Sequence, residues 1–159
     1  MKKLVLSCMI LSLATLQGCK NDDKQKETEA VNTEAEKVVS TQCYKAIYEN
    51  DIIDLKLNTL ESGKISGNMS MIVTGAAERT GEITGEFRGD TLFADYTFTE
   101  GTNKESFKNP MAFLKRDNQL ILGNGKMQTT MGVTYLLKDE PIDFDRVKYK
   151  FDNVDCVDK

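Results

Sequence analysis

Leu92-Phe93-Ala94-Asp95-Tyr96-Thr97-Phe98-Thr99 carries the clearest structural signal in this sequence. Apart from Phe93, its residues alternate between polar side chains and four apolar ones, Leu92, Ala94, Tyr96 and Phe98. Because successive side chains of a β-strand point to opposite faces, this alternation is typical of a strand buried on one face only. Such half-buried strands belong to antiparallel sheets, so the stretch predicts an antiparallel, all-β architecture.

The same alternation recurs upstream in three runs. Their apolar residues share one face of each predicted strand: Ile53, Leu55 and Leu57; Ile65, Met69, Met71 and Val73; Ile83 and Phe87. Turn signals separate the strands at Glu61-Ser62-Gly63-Lys64, Arg88-Gly89-Asp90-Thr91 and Arg116-Asp117-Asn118-Gln119. We expect further strands at about 105–115, 119–123, 126–137 and 144–151, the first of them an edge or bulged strand because it contains Asn109-Pro110.

About eight strands in this order predict a β-meander that closes into a small up-and-down barrel, in a single domain over residues 41–159. Gly67 and Gly85 fall on the inward-facing parity of their strands. Glycine inside a strand often marks a point where a sheet bends sharply, which favours a closed barrel over an open sandwich. The alternative is that these glycines only permit close packing.

The first 18 residues are typical of a signal peptide. Lys2 and Lys3 precede a short apolar run over residues 4–16. That run is shorter than the roughly 20 residues that a transmembrane helix needs, which disfavours an ordinary membrane-spanning anchor. The following segment, 19–40, is charged and polar without any aromatic residue, so it predicts a flexible linker.

Leu16-Gln17-Gly18-Cys19 resembles the lipobox of bacterial lipoproteins. The resemblance implies that residues 1–18 are removed, that Cys19 is acylated with fatty acids such as palmitate, and that the lipid anchors the chain to a membrane. Lys20-Asn21-Asp22-Asp23 is similar to the export signals of Bacteroidota surface lipoproteins, although a solvated linker explains it equally well. The lysine after Cys19 also implies the outer membrane rather than the inner one.

Residues 85–98 match the pattern G-x-x-x-G-D-x-L-x-x-x-Y-x-F. This run is similar to a repeated signature of small outer-membrane lipoproteins of Bacteroidota whose function is unknown. The resemblance implies a lipocalin-like β domain bounded by cysteines, and it implies no activity. Asp90-Thr91-Leu92 resembles the site at which Bacteroidota O-glycosylate secreted proteins, so Thr91 is a candidate modification site.

Four cysteines are present, and the resemblance accounts for two of them. Cys8 would leave with the signal peptide and Cys19 would carry the lipid. Cys43 and Cys156 remain near the two ends of the domain, in an oxidising compartment, which predicts a structural disulfide. A reactive thiol pair is the alternative, but the chain has no C-x-x-C motif and no histidine to activate a thiol.

The absence of histidine excludes Ser-His-Asp and Cys-His catalysis. The sequence also lacks a P-loop and a dinucleotide-binding fingerprint, so we predict no catalytic residue, no metal site and no cofactor. A carboxylate-dependent hydrolase is the enzymatic alternative, built from acids that share a face or flank a loop, Glu82, Glu86, Glu100 and Glu105. A calcium site is a weaker alternative to a solvated turn for the acidic cluster Asp139, Glu140, Asp143 and Asp145.

The charge excludes one class of partner. The net charge is −4, and removal of residues 1–18 would leave 19 basic and 25 acidic residues, a net charge of −6. An acidic chain without a basic stripe is unsuited to nucleic acid. Attachment to the membrane therefore depends on the N-terminal lipid rather than on anionic headgroups.

Several long, flexible side chains are also predicted to face the interior of the barrel. They are either ordinary core or the lining of an apolar cavity, and they comprise Met69, Met71, Phe87, Tyr96 and Phe98. We therefore expect a non-enzymatic binding module for a small apolar ligand or an envelope partner. The alternative is a structural, accessory or inhibitory protein that acts through protein contacts.

Overall fold

The computed structural model describes residues 36–157, in which ten β-strands form and no helix is long and apolar enough to cross a bilayer. The predicted signal peptide, Cys19 and most of the predicted linker lie outside the described residues. The strands are β1 (Val38–Tyr48), β2 (Asp51–Leu60), β3 (Lys64–Ile72), β4 (Arg79–Arg88), β5 (Thr91–Glu100), β6 (Phe107–Arg116), β7 (Gln119–Leu122), β8 (Met127–Thr130), β9 (Val133–Leu136) and β10 (Lys150–Val154).

Eight of these strands close an antiparallel barrel in the order β1-β10-β7-β6-β5-β4-β3-β2. The first seven strands form a meander, and β10 joins β7 to β1. Cys43 lies opposite Val154 where the first and last strands meet. β8 and β9 form a separate two-stranded hairpin. The predicted all-β class and the eight-stranded closed barrel are therefore confirmed.

Two inward-facing glycines let neighbouring strands approach closely. A Cβ atom at Gly67 would collide with the backbone carbonyl of Lys56, and one at Gly85 would collide with that of Phe93. Only a residue without a side chain fits at these positions, so the neighbouring backbones lie in close contact there. The barrel is closed, as the glycines predicted, and the close strand packing that was the alternative explanation for them is present as well.

The inward-facing side chains form one continuous core. Tyr96, Phe113 and Phe151 are the largest fully buried ones, and the Tyr96 hydroxyl donates a hydrogen bond of 3.0 Å to the Met69 carbonyl. Phe93 interrupts the alternation because it faces outward, where the Arg88 guanidinium lies 5.3 Å from its ring centre. Phe93 is therefore an outward-facing apolar residue, and β5 keeps its alternation between inward-facing and outward-facing side chains.

The strand boundaries differ from prediction in three places. β1 begins at Val38, three residues before the predicted domain start at residue 41. The strand predicted over 126–137 is a hairpin that turns at Met131-Gly132, both of which have positive φ. The strand predicted over 144–151 begins only at Lys150, because the preceding segment is a loop that crosses the outside of the barrel.

That loop lies against the outer face of β6 and β7. Asn124 and Asp143 form an isolated backbone bridge, and a Cβ atom at Gly123 would meet the side chains of Ile142 and Phe144. The loop thereby covers a part of the outer face that carries buried apolar residues, Ala112 and Ile121.

Candidate functional site

The five predicted cavity-lining residues do not share one environment. Four of them are buried in the core of the barrel, Met69, Met71, Tyr96 and Phe98. Phe87 is 38% exposed near the end of β4. Two cavities lie beside this core rather than along the axis of the barrel, and of the five residues Met69 alone borders one of them.

The first is a cavity of about 280 Å³, which we call the seam cavity. It lies where β6 and β7 separate, since their paired register ends at Phe113↔Leu122 while β6 continues to Phe107. Its apolar wall consists of Met111, Leu122, Met127, Leu136 and Tyr149, and its polar residues include Asn109, Asn124 and Lys148.

Pro110 explains why β6 tolerates this separation. The Ala112 carbonyl accepts a hydrogen bond of 2.9 Å from the Gly123 amide, so Ala112 directs its backbone groups toward β7. By strand alternation, Pro110 directs its groups to the same side. Proline has no N–H to leave unpaired there, so it suits a free edge. β6 has a paired strand on each side in the barrel, so the predicted edge or bulged strand at Asn109-Pro110 is found only in part: within the described part of the chain, residues 107–111 have no paired strand on the β7 side.

The β8–β9 hairpin supplies the outer wall of the seam cavity. Met127 and Leu136 lie opposite each other in the hairpin, and both border the cavity. Gly125 leaves the space that Leu136 occupies, because a Cβ atom there would lie 2.6 Å from a Leu136 methyl carbon. The size of the cavity therefore depends on the position of this hairpin.

A hydrogen-bonded cluster fixes the inner wall. The Tyr149 hydroxyl donates a bond of 2.7 Å to one carboxylate oxygen of Asp51, and the Thr74 amide donates one of 2.8 Å to the other. These bonds lower the pKa of Asp51. Burial, together with the bond to Asp51, raises the pKa of Tyr149 to about 12. The phenol stays protonated at neutral pH and keeps its ring in the cavity wall.

A cation lies beside the same wall. The Lys148 ammonium group is 5.4 Å from the ring centre of Tyr48, and that ring meets Tyr149 edge-on at 6.3 Å between centroids. Cation–π attraction of this kind orients the lysine at the rim without neutralising its charge. The seam cavity thus combines apolar walls with one positive group.

The second cavity is an open groove of about 640 Å³ on the outer face of β1 to β4, which we call the outer groove. Its floor carries polar side chains from four neighbouring strands, Lys45, Asp54, Lys56, Asn68, Ser70, Thr80 and Glu82. Lys45 and Asp54 form an ion pair of 3.1 Å. One wall is the C-terminal tail with Asp155 and Val157.

The disulfide holds that tail in place. Cys43 and Cys156 are bonded, with their Cα atoms 5.2 Å apart, and the predicted pairing is confirmed. Cys43 itself borders the outer groove. The bond therefore ties the end of the chain to β1 and also shapes the groove.

Two of the candidate acids, Glu82 and Glu86, do not lie close together. Glu82 and Glu86 lie on the outer face of β4, about 13 Å apart along the strand at the usual rise per residue. Glu86 forms an ion pair of 2.6 Å with Arg88, and Glu100 forms one of 2.8 Å with Arg79. Carboxylates that act together on a glycosidic bond lie within roughly 5–10 Å of each other.

Acidic side chains of the outer loop form hydrogen bonds and ion pairs with neighbouring residues. Asp143 accepts hydrogen bonds from the backbone amides of Asp145 and Arg146, which lower its pKa to about 2. Glu140 pairs with Lys126 at 3.0 Å. Among residues 36–157 no group of three or more His, Cys, Asp or Glu side chains is arranged to hold a metal ion.

Thr91 begins β5 directly after the Gly89-Asp90 turn, and its side chain is half-buried. The site residues that sequence reasoning missed are Tyr149, Lys148 and the β8–β9 hairpin. Proline on one strand signalled the gap, but no local pattern shows which distant residues surround it. Cys19 lies outside the described residues.

No protein-family model, curated protein or solved structure matches this chain.

Proposed function

We propose that this protein is a lipoprotein of the outer membrane and a non-enzymatic binding module for a small apolar ligand. The observation that carries the proposal is the seam cavity, whose walls come from the barrel and from a separate hairpin. A concave, mostly apolar surface with a few polar groups is the usual arrangement of small-molecule sites.

The cavity limits the ligand by size and charge. A volume of about 280 Å³ lies just below the range of roughly 300–1,000 Å³ that is typical of ligand pockets. A short acyl chain or a fused aromatic ring system suits this space better than a longer lipid. Lys148 at the rim favours a ligand with a negative group at its exposed end.

A fluorescent apolar probe tests the binding site. N-phenyl-1-naphthylamine should bind saturably to the purified protein, and its fluorescence should rise as it leaves water for the apolar cavity. Met127→Trp fills the cavity from its wall, so we expect it to weaken probe binding at least tenfold.

Met131→Trp is the matched control, because Met131 is 99% exposed at the tip of the same hairpin and does not border the cavity. This variant should bind the probe as the unchanged protein does. Absence of saturable binding, or undiminished binding by Met127→Trp, would exclude the seam cavity as the ligand site.

The anchor is supported by Leu16-Gln17-Gly18-Cys19 and the apolar run before it. We expect the mature chain to begin at Cys19 and to carry fatty acyl groups, so its intact mass should exceed that of the polypeptide. Cys19→Ala should move the protein out of the outer-membrane fraction. An unmodified mass together with unchanged fractionation would contradict the anchor.

Surface exposure and glycosylation at Thr91 belong to the same proposal. Thr91 is half-buried at the start of a strand beside an exposed turn, where an enzyme can reach it. Thr91→Ala should remove any glycan mass from the protein. A glycan that persists in this variant would place the modification elsewhere.

An envelope partner at the outer groove is the second candidate. The groove is larger than the seam cavity and displays both lysines and carboxylates, which suits a polar protein surface. A photo-crosslinking residue at Asn68, in the groove, should then capture the same partner in intact cells each time. Thr84, exposed on β4 outside the groove, is the control position and should capture nothing.

A further inference from the structure

One edge of the β8–β9 hairpin has no strand beside it. β8 (Met127–Thr130) pairs with β9 on one side, and within residues 36–157 no strand pairs with its other side. The hairpin closes with a two-residue turn, so the closing pair, Thr130 and Val133, exchanges hydrogen bonds. Along β8 the backbone groups of successive residues point alternately toward β9 and away from it. Because those of Thr130 point toward β9, the N–H and C=O groups of Met127 and Thr129 point away from it.

This short edge carries none of the charged or proline residues that usually protect a free edge. Residues 127–136 contain no charged residue and no proline, although 29% of the whole chain is charged. Proteins commonly block a free edge with lysine, proline or a bulge. The gap edge of β6 follows that rule with Pro110, whereas β8 does not.

We propose that β8 is a self-association edge that pairs with β8 of a second copy of this chain. An extended polypeptide backbone matches a row of alternating N–H and C=O groups and can replace the water bound to it along the whole strand. The chain is acidic, with a net charge of −4, so two copies repel each other except where they meet through an uncharged surface. The hairpin provides such a surface.

The two β8 strands pair best as an antiparallel ladder whose two-fold axis passes between the Gln128 residues of the two copies. Met127 of one copy then lies opposite Thr129 of the other, and each of these pairs exchanges two hydrogen bonds, four in total. A register centred on Thr129 would place Met127 opposite the Met131 turn and lose half of these bonds. The four strands join into one sheet in which the two β8 strands are central and the two β9 strands, with exposed Val133 and Tyr135, lie outside them.

The contact is small. Four residues from each copy cannot bury the roughly 800 Å² per partner of a standard interface, so the dimer is weak in dilute solution. Confinement of both copies to one membrane would raise their effective concentration. The strand pairing itself depends neither on the anchor nor on the seam cavity.

Cysteine crosslinking of the purified full chain, at rising protein concentration, tests the pairing and its register. In this arrangement Gln128 faces Gln128 of the second copy in a non-hydrogen-bonded pair, with Cα atoms about 4.5 Å apart. That separation suits a disulfide. Gln128→Cys should therefore give a species of doubled mass after mild oxidation, and a reductant should reverse it.

Two further variants make the result specific. In this register Thr130 of one copy lies far from Thr130 of the other. Thr130→Cys, although on the same strand, should therefore give no crosslinked dimer. Adding Thr129→Pro to Gln128→Cys removes an outward N–H and the bond of 2.9 Å between the Thr129 and Thr134 hydroxyls, but it leaves the backbone bonds between β8 and β9 in place. It should abolish the crosslink. Equal crosslinking by Thr130→Cys, persistence with Thr129→Pro, or no doubled species from Gln128→Cys would each overturn the proposal.

Discussion

Asp51 is the residue on which the inner wall of the seam cavity depends. It is 6% exposed, and its carboxylate is bonded both to the Thr74 amide and to the Tyr149 hydroxyl. A single side chain thereby joins the start of β2 to the loop after β3 and to the residue before β10. An ionised acceptor makes these bonds stronger than a neutral one would.

The lowered pKa of Asp51 makes this cluster sensitive to acid. A carboxyl group whose pKa is lower in the folded state stabilises the fold above its unfolded pKa of about 3.9, and that contribution disappears as the pH falls through the folded pKa. We therefore expect Asp51→Ala to lower the melting temperature at pH 7 and to lose less stability than the unchanged protein between pH 5 and pH 2. Thermal unfolding across this pH range measures both effects.

Asp54→Ala provides the control for that experiment. Asp54 lies three residues further along β2, where it forms an exposed ion pair with Lys45. Exposed ion pairs contribute only about 0–1 kcal/mol, so this variant should keep the acid response of the unchanged protein. An Asp51→Ala profile that parallels the unchanged protein at every pH would show that the carboxylate has no such role.

The two kinds of residue in this site differ in how far sequence can predict them. Met69 and Tyr96 were placed inside the barrel because the alternation of a strand is local and needs only a few neighbouring residues. The bond between Tyr149 and Asp51 joins residues 98 positions apart, so no local pattern contains it. Side-chain parity was predictable, whereas the cavity that the side chains border was not.

Gly67 determines how closely β2 and β3 can approach each other. An added Cβ would collide with the Lys56 carbonyl and would lie 3.1 Å from the Leu57 Cα, and backbone atoms cannot yield as a side chain does. We expect Gly67→Ala to destabilise the protein by roughly 1–3 kcal/mol, the usual penalty for overpacking a core. Chemical denaturation measures the loss.

Ser66→Ala is the matched control, since Ser66 is the neighbouring residue on the opposite face of β3. Its effect should stay within about 0.5 kcal/mol, as for most surface substitutions. If both variants unfold at the same denaturant concentration, the close approach at Gly67 is not required.

Turn chemistry explains which elements were predicted correctly. Gly63 and Gly89 lie in turns that the sequence identified, and both have positive φ, which glycine adopts freely. Met131 also has positive φ, at 51°, but methionine is not a residue that signals such a turn. The β8–β9 hairpin was therefore mistaken for one long strand, and with it the outer wall of the seam cavity was missed.

The barrel closes where its first strand, β1, meets its last strand, β10. β1 and β10 share only three register pairs, from Cys43↔Val154 to Lys45↔Asp152, whereas β1 and β2 share ten. The shortest seam beside β1 is thus the one that the disulfide reinforces. The sequence could predict this bond because only two cysteines remained for the domain.

Removing the disulfide should have a large effect on the stability of the barrel. Cys43 and Cys156 are 113 residues apart, and a crosslink over a loop of this length is worth about 4–5 kcal/mol in the chain-entropy account, of which less is usually realised. We expect Cys43→Ser to lower the free energy of unfolding by about 2–5 kcal/mol in denaturant titrations without reductant. Reductant should destabilise the unchanged protein to the same degree and leave Cys43→Ser unaffected, because the variant has no bond between these positions to lose. A reductant effect of equal size in both proteins would mean that a disulfide other than Cys43–Cys156 stabilises the fold.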